Sequence, residues 1–446
     1  MCDKCYFIEM LVDEFGNKIY LHYKKDTMKE LFKKIIISKQ EWLKTIVPIN
    51  RNLVIEKEMN YAFTGLRRAG KSFYLYQIIQ QLNKINKLEE ILFINFEDER
   101  LLEVTYKDLH LIIEAYKELF DHQPIVFLDE IQNIQHWQKF VRRLTDEGYK
   151  IYITGSNAEM LSHEIGTILG GRFINKEILP LSFPEFLKFN EITVSKQAFY
   201  SNEKIKIKKA FENYLIQGGF PELLKIDRKQ DYLSSVYQKL FYGDLIARYK
   251  ISNITILKLL VKKIAESVNN ETSVNRIKNL IKSTGTSIGS NTLFEYLIYL
   301  EQSYLIGTIS NFYSKFSEKE TNKKYYFLDN GILGLFLFDQ NTKLLENLIY
   351  IELRRRGFKT YFVKRTIEID FYVPEENLLI QSAYSIANPE TRTREIKAIK
   401  KGMIEFQINE SFIITYDEDE KIEIEEGIIH VIPAWKWLLM EKQETE

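Results

Sequence analysis

The sequence predicts an α/β protein: a parallel-sheet core, then a helical stretch, then a smaller helix-and-hairpin part and a second α/β part. Three observations carry this. Between Asn60 and Thr154, strand-length apolar runs alternate with helix-length segments. The runs are apolar throughout, as strands covered on both faces must be. After Pro184 the pattern changes to apolar residues at helical spacing, and after residue 340 strand-like runs return.

Composition sets the frame. The 446 residues carry 62 basic and 62 acidic side chains, 45% hydrophobic and 28% charged residues. That is a globular mix with room for several cores, and it excludes a histone-like polycation. The longest apolar runs, such as Gly331–Phe338, are too short to span a membrane. No signal-peptide pattern opens the chain, and no membrane partner is expected. The 2 cysteines, Cys2 and Cys5, cannot build a disulfide framework, so a reducing cytoplasm is the expected compartment. With His22 they would make an incomplete zinc site, so a frayed terminus is the simpler reading.

In order, residues 1–24 read as a short strand or hairpin with its turn at Asp13–Asn17, and 28–46 as a basic amphipathic helix. Tyr61–Thr64, Ile91–Phe96, Ile125–Leu128 and Ile151–Thr154 read as buried parallel strands. Residues 185–260 read as helices. Thr272–Leu280 and Ser290–Leu300 read as a helix-turn-helix pair, followed by a hairpin of Tyr304–Phe312 and Lys324–Leu328 across a polar Ser314–Asn322 loop. A helix at 344–356 and strands at 360–363, 367–373, 378–384 and 411–415 complete the reading. The expected domains are 1–40 (appendage), 41–190 (core), 191–261 (helical lid or linker), 262–335 (winged helix) and 336–446 (small α/β domain).

The chemistry starts at Gly65-Leu66-Arg67-Arg68-Ala69-Gly70-Lys71-Ser72, which fits G-x-x-x-x-G-K-[ST] between a strand and a helix. Glycines let backbone N–H groups approach phosphate oxygens, and the following helix adds its positive end. Lys71 would reach the β/γ-phosphates, Ser72 would offer its hydroxyl to Mg²⁺, and Phe73 follows in the binding segment. Pro124–Glu130 is an apolar strand ending in two carboxylates. Asp129 would hold Mg²⁺ and Glu130 would polarise the attacking water.

Ser156 or Asn157, at the tip of the strand from Ile151, could sense the γ-phosphate or orient water; an ordinary turn is the alternative. Arg172, after Gly170-Gly171, could stabilise transition-state charge in cis or from a neighbouring subunit, or be a surface loop residue; the oligomeric state stays open with it. Arg67 and Arg68 could face phosphate or a partner protein. Glu97 and Asp98 read more readily as solvated strand-end acids than as support for the metal.

These phrases, with Leu128-Asp-Glu-Ile-Gln132, Gly170-Gly-Arg-Phe173 and Leu179-Pro-Leu-Ser-Phe-Pro-Glu-Phe186, resemble the bacterial and archaeal AAA-superfamily ATPases, a group related to the signalling ATPases with numerous domains. Gly218-Gly-Phe-Pro-Glu222, Tyr325-Tyr-Phe-Leu-Asp329-Asn-Gly331 and Glu368-Ile-Asp370-Phe371 are similar to the C-terminal domain of unknown function that usually accompanies them. The resemblance runs from about residue 40 to the end. It implies a P-loop NTPase core, ATP and Mg²⁺ as cofactors, a winged helix and a restriction-endonuclease-like fold.

Nucleases of that fold place a helix Glu, a strand Asp and Glu/Gln-x-Lys around a metal. Here Glu346 and Asp370 remain, but Gln381 replaces the acid and Ala383 stands at the Lys position, so the site reads as degenerate unless Lys364 or Arg394 substitutes. The winged-helix segment carries nine basic and seven acidic residues over 262–330, a weak case for DNA. Basic runs at 354–365 and 392–402 make DNA contact more credible at 354–402; the acidic run 417–426 reads as a solvated face. The expected activity is Mg²⁺-dependent ATP hydrolysis coupled to movement of a C-terminal module that binds a protein partner or DNA. The alternative is a nucleic-acid-binding ATP switch.

Overall fold

The computed structural model describes residues 16–440, apart from 53, 57, 84–86, 157–169, 196, 199–200 and 339–340; of 16–24 only the backbone. Asn157, Cys2 and Cys5 therefore lie outside the described residues. The chain forms two compact units: residues up to Thr64 with Lys71–Glu177, and Gly65–Gly70 with Ile178 onwards.

The first unit is built on a five-stranded parallel sheet in the order β2-β3-β4-β1-β5. Its strands are β1 (Asn60–Thr64), β2 (Ile91–Asn95), β3 (Ile125–Asp129), β4 (Ile151–Gly155) and β5 (Phe173–Glu177). The central strands are buried almost residue for residue, which is why their sequences are apolar without alternation. Helix α1 (Gly16–Thr45) corrects the expected hairpin at its residues 16–24 and extends the expected helix at 28–46. Phe32, Ile35, Ile36 and Leu43 recur at helical spacing and are at most 1% exposed. Phe32, Ile35 and Ile36 pack with α3 (His110–Leu119) and β2 in one core, so residues 28–40 belong to the core rather than to an appendage. Gln40 donates its amide to the Ile91 carbonyl at 3.0 Å. Helices α2 (Lys71–Leu82) and α4 (Trp137–Asp146) complete this unit among its described elements.

The second unit begins with α5 (Phe183–Phe189). Ser182 and Glu185 form a capping box there, with Pro184 in the first turn, which explains the Leu-Ser-Phe-Pro-Glu phrase as a helix start. Then come α6 (Glu203–Gln217), α7 (Lys229–Gln238), a π-helical turn at Lys239–Ala247 and α8 (Ile254–Ser267). Strand β6 (Thr272–Ser273), α9 (Val274–Lys282), α10 (Ser290–Gln302), β7 (Ile306–Ser310) and β8 (Asn322–Phe327) follow, with β6-β8-β7 forming an antiparallel sheet. The loop expected at Ser314–Asn322 contains a short helix, α11 (Phe316–Thr321).

Next stand α12 (Asn330–Gly334) and α13 (Asn341–Arg355). The last sheet is mixed and six-stranded, in the order β13-β14-β12-β11-β10-β9. Its strands are β9 (Tyr361–Lys364), β10 (Glu368–Val373), β11 (Leu378–Ser382), β12 (Glu410–Thr415), β13 (Glu420–Ile424) and β14 (Gly427–Pro433). Helix α14 (Pro389–Phe406) lies between β11 and β12 in sequence. The acidic run expected as a solvated face contains strand β13 and supplies partners for cations. Arg392 pairs with Glu420, Lys400 with Glu426 at 3.0 Å and Lys436 with Asp419 at 2.7 Å.

Asp329 holds the helical part of this unit together. Its buried carboxylate accepts the backbone N–H groups of Gly219 (2.8 Å), Gly331 (2.8 Å) and Ile332 (3.2 Å). At Gly218, φ is +77° and a Cβ would lie 2.2 Å from Asp329 Oδ1, so glycine is required. Asn330 donates to the Leu215 and Leu344 carbonyls, and Asn347 donates to Asn330. The Gly-Gly-Phe-Pro and Leu-Asp-Asn-Gly phrases are thus two sides of one buried knot. No helix among the described residues is long and apolar enough to cross a membrane.

Candidate active site

The parallel strands bring chemistry to their carboxyl ends, as such sheets do. Asp129 closes β3 and is fully buried. Ser72, in the first turn of α2, donates its hydroxyl to Asp129 Oδ1 at 3.1 Å. Thr154 Oγ1 donates to the same oxygen at 2.5 Å and accepts the Glu130 N–H at 2.9 Å. Asp129 Oδ2 is buried without a partner among the described residues. Burial, then the neighbouring Glu130, push the Asp129 carboxyl up to about 6; Thr154, Ser72 and Lys71 pull the other way. A buried carboxylate oxygen with no donor, beside a serine hydroxyl, is the donor set a hard divalent cation takes. Asp129 and Ser72 therefore fit Mg²⁺.

Lys71 is 4% exposed, with Nζ 3.7 Å from Glu130 Oε1. Glu130 sits at φ +52°, a left-handed conformation that costs a non-glycine residue energy. Its Oε2 accepts the Gln132 amide at 2.5 Å. Ser156 is buried, its Oγ 3.5 Å from the same amide nitrogen. Thr154, not singled out from the sequence, is the residue of β4 that fixes both carboxylate residues. The signal for it was a hydroxyl closing a buried strand beside the carboxylate strand.

In the Gly65–Gly70 loop, φ is +137° at Gly65 and +98° at Gly70. A Cβ on Gly65 would stand 2.2 Å from the Ile178 carbonyl oxygen. Leu66 and Ala69 are buried, and Ala69 N–H donates to the Leu66 carbonyl at 3.1 Å. Side-chain roles at Arg67 and Arg68 are corrected. Arg67 donates Nε to Asp244 Oδ2 at 2.8 Å and Nη2 to Oδ1 at 3.3 Å. Arg68 forks onto Glu222 at 3.0 and 3.1 Å. Both guanidiniums thus meet carboxylates of their own unit. Phe73 is 53% exposed and lies edge-on to Tyr76.

The sequence leaves Arg172 open between a cis role, a role in a neighbouring subunit and a surface loop residue. It immediately precedes β5, whose first residue pairs with Asn60, the first residue of β1. It therefore lies at the opposite end of the sheet from Thr64, about 13 Å along a five-residue strand. There it pairs with Asp146 at 2.8 Å. Asp98 caps a short helical turn and pairs with Arg100, whose hydrogen bond holds its carboxyl below the usual range. It serves the fold at the end of β2.

A second carboxylate cluster lies in the second unit. Glu346 of α13 and Asp370 of β10 do meet, but through Lys324 of β8. Lys324 Nζ donates to Asp370 Oδ1 at 2.9 Å and to Glu346 Oε1 at 3.3 Å. Tyr326 donates to Glu346 Oε1 at 2.8 Å, and Gln381 Oε1 accepts the Asp370 N–H at 3.2 Å. Lys324 is 0% exposed. Burial lowers its pKa, but Asp370 and Glu346 more than offset this and raise it, so it is an ammonium. Burial and Asp370 raise that of Glu346. The ammonium stands where a shared cation would bridge the two carboxylates. Lys364 and Arg394, the substitutes considered from sequence, pair elsewhere, with Glu368 and Glu395. The overlooked signal was a lysine on the Tyr326 face of an otherwise aromatic strand. Cations of 354–356 are also occupied: Arg354 donates to Tyr350, Arg355 and Arg356 pair with Glu352, and Arg356 lies 4.4 Å from the Trp437 ring centre.

Two family models match parts of the chain. Residues 57–187 match the model of an AAA domain, and residues 208–343 that of a domain of unknown function, DUF8612. The uncharacterized protein MJ1544 of Methanocaldococcus jannaschii is 37% identical over 429 residues, covering 92% of this chain and 96% of its own length. An uncharacterized protein of Haemophilus influenzae is 29% identical, covering 91% of this chain and 99% of its own length. Among solved structures, the Walker-type ATPase PABY2304 of Pyrococcus abyssi is 17% identical, covering 62% of this chain and 90% of its own, with a TM-score of 0.39. The ORC1 protein of Aeropyrum pernix, solved in complex with DNA, is 11% identical, covering 75% and 94%, with a TM-score of 0.28. The chain belongs to the AAA-type P-loop ATPase family in which the ATPase core is joined to a separate C-terminal domain of unknown function, together with MJ1544.

Proposed function

We propose that the chain binds Mg²⁺-ATP and hydrolyses it. The observation that carries this is Asp129: one oxygen is fixed by Ser72 and Thr154, and the other is buried with no partner among the described residues. The backbone of Gly65–Gly70 cradles the phosphates, and Lys71 turns from Glu130 to the β/γ-phosphates. Ser72 and Asp129 hold the metal, which when bound neutralises phosphate charge. Glu130 takes the proton of the attacking water. The test is a pair of variants. Lys71→Ala loses ATP binding, whereas Glu130→Gln binds ATP and keeps only a small residual turnover; a Glu130→Gln protein hydrolysing at the wild-type rate removes the base assignment.

Two pairs, Arg67–Asp244 and Arg68–Glu222, support coupling of loop geometry to the helical part of the second unit. With its place at the amino end of β5, Arg172 is left to act on the nucleotide of a neighbouring subunit. The order of α8, β6, α9, α10, β7 and β8 supports the winged-helix reading. The ammonium between Glu346 and Asp370, and the paired cations of 354–402, favour a scaffold or protein-docking role for the last domain over DNA contact or nuclease chemistry.

A further inference from the structure

We infer that Gln132 holds the attacking water together with Glu130; the inference rests on the ATPase reading above. Gln132 is 9% exposed, on the short helical turn Ile131–Asn133 that Ile131 anchors in the core. Its amide nitrogen is spent on Glu130 Oε2 at 2.5 Å. Its Oε1 is buried and has no partner among the described residues. A buried carboxamide oxygen left unpaired has lost its water hydrogen bonds without replacement. A donor delivered with the substrate complex would supply that replacement.

The chemistry of the donor is narrow. Oε1 only accepts, and it belongs to a side chain that is hydrogen-bonded to a carboxylate. Phosphate oxygens are acceptors, so ATP's triphosphate cannot fill this place. A ligand donating to both side chains needs two O–H or N–H groups on one small atom, which describes water. One water proton would point to Gln132 Oε1 and the other to Glu130. In the step itself the water oxygen bonds the γ-phosphorus as the β–γ bridging P–O bond breaks. The proton facing Glu130 passes to its carboxylate, and the electron pair of the broken bond stays on the β-phosphate of ADP. Gln132 is unchanged; it fixes the direction of attack, for which orientation is worth orders of magnitude in rate.

The test uses the full chain with Mg²⁺-ATP and three variants: Gln132→Met, which keeps length and volume, Glu130→Gln, and the two combined. Gln132→Met is expected to lower kcat about 10²-fold, with KM for ATP and the melting temperature unchanged. The combined variant is expected to be no slower than Glu130→Gln alone, because residues acting as one unit are not additive. A Gln132→Met protein at wild-type kcat, or one that only raises KM, overturns the inference. So does a combined loss equal to the product of the single losses, which marks a structural effect. Gln132→Ala repeats the kcat measurement should methionine disturb the fold. Glu130→Gln by itself reports on the base reading, so the two failures are told apart.

Discussion

Lys324 Nζ stands 2.9 Å from Asp370 Oδ1 inside the second unit, with Glu346 Oε1 at 3.3 Å on the same ammonium. A strand lysine thus places one positive charge between the two buried acids.

Lys324→Ala should destabilise the chain by about 3–5 kcal/mol, since it leaves two buried acids without their shared counter-charge. Urea unfolding followed by circular dichroism checks this. Asp370→Ala should likewise lower stability, and Mn²⁺-dependent DNA cleavage should be absent from both wild type and variant.

Arg67→Ala should change ATP affinity less than about threefold, because its guanidinium is bound by Asp244 and the loop binds phosphate through backbone N–H groups. Lys71→Ala should abolish binding in the same titration. A loss at Arg67 equal to that at Lys71 would return the guanidinium to the phosphates.

Thr154→Val keeps the shape of β4 but removes the hydroxyl shared by Asp129 and the Glu130 N–H. Groups that orient metal ligands typically contribute 10–100-fold in affinity. The Mg²⁺ concentration for half-maximal turnover should rise by about that factor, with ATP binding in the absence of metal unchanged.

Two inactive proteins should complement one another. An Arg172→Ala chain keeps its own Glu130, and a Glu130→Gln chain keeps its own Arg172. Mixing them should restore turnover that neither shows alone, since the register of β5 on β1 separates Arg172 from its own nucleotide loop. Mixtures as inactive as their parts would leave Arg172 as a partner of Asp146 only.

Burial pushes the Asp329 carboxyl up to about 7, against the pull of the Gly219, Ile332 and Gly331 N–H groups. In an unfolded chain it titrates near ~3.9. The folded state therefore keeps a proton that the unfolded state has released, so this group's stabilisation is full below ~4 and is lost as pH rises through about 7. Asp329→Asn should flatten the fall in melting temperature across that window, although it costs stability by facing an amide donor toward Gly219 N–H. An unchanged slope would show that the carboxylate is ionised throughout.

The local signals were legible because they depend on local physics. Apolar runs without alternation announced the parallel sheet, and the glycine-lysine-serine loop lies between strand and helix as its pattern requires. The carboxylates Asp129 and Glu130 stand at the end of β3, as the strand pattern placed them. What sequence could not decide was which side chains meet. Arg67 and Arg68 read as facing phosphate or a partner protein, and Arg172 as stabilising transition-state charge or lying in a surface loop, because local spacing does not choose among anions. Strand register placed Arg172 at the far end of the sheet, and Asp244 and Glu222, more than 150 residues away in sequence, took the other two. Lys324 lies 22 and 46 residues from its acids, and only the packing of β8 against α13 and β10 brings them together. The sequence by itself determined the sheet, the loop and the identity of the acids. Tertiary structure decided which charges are spent on one another, because pairing energies depend on distances and burial that no spacing in the chain encodes.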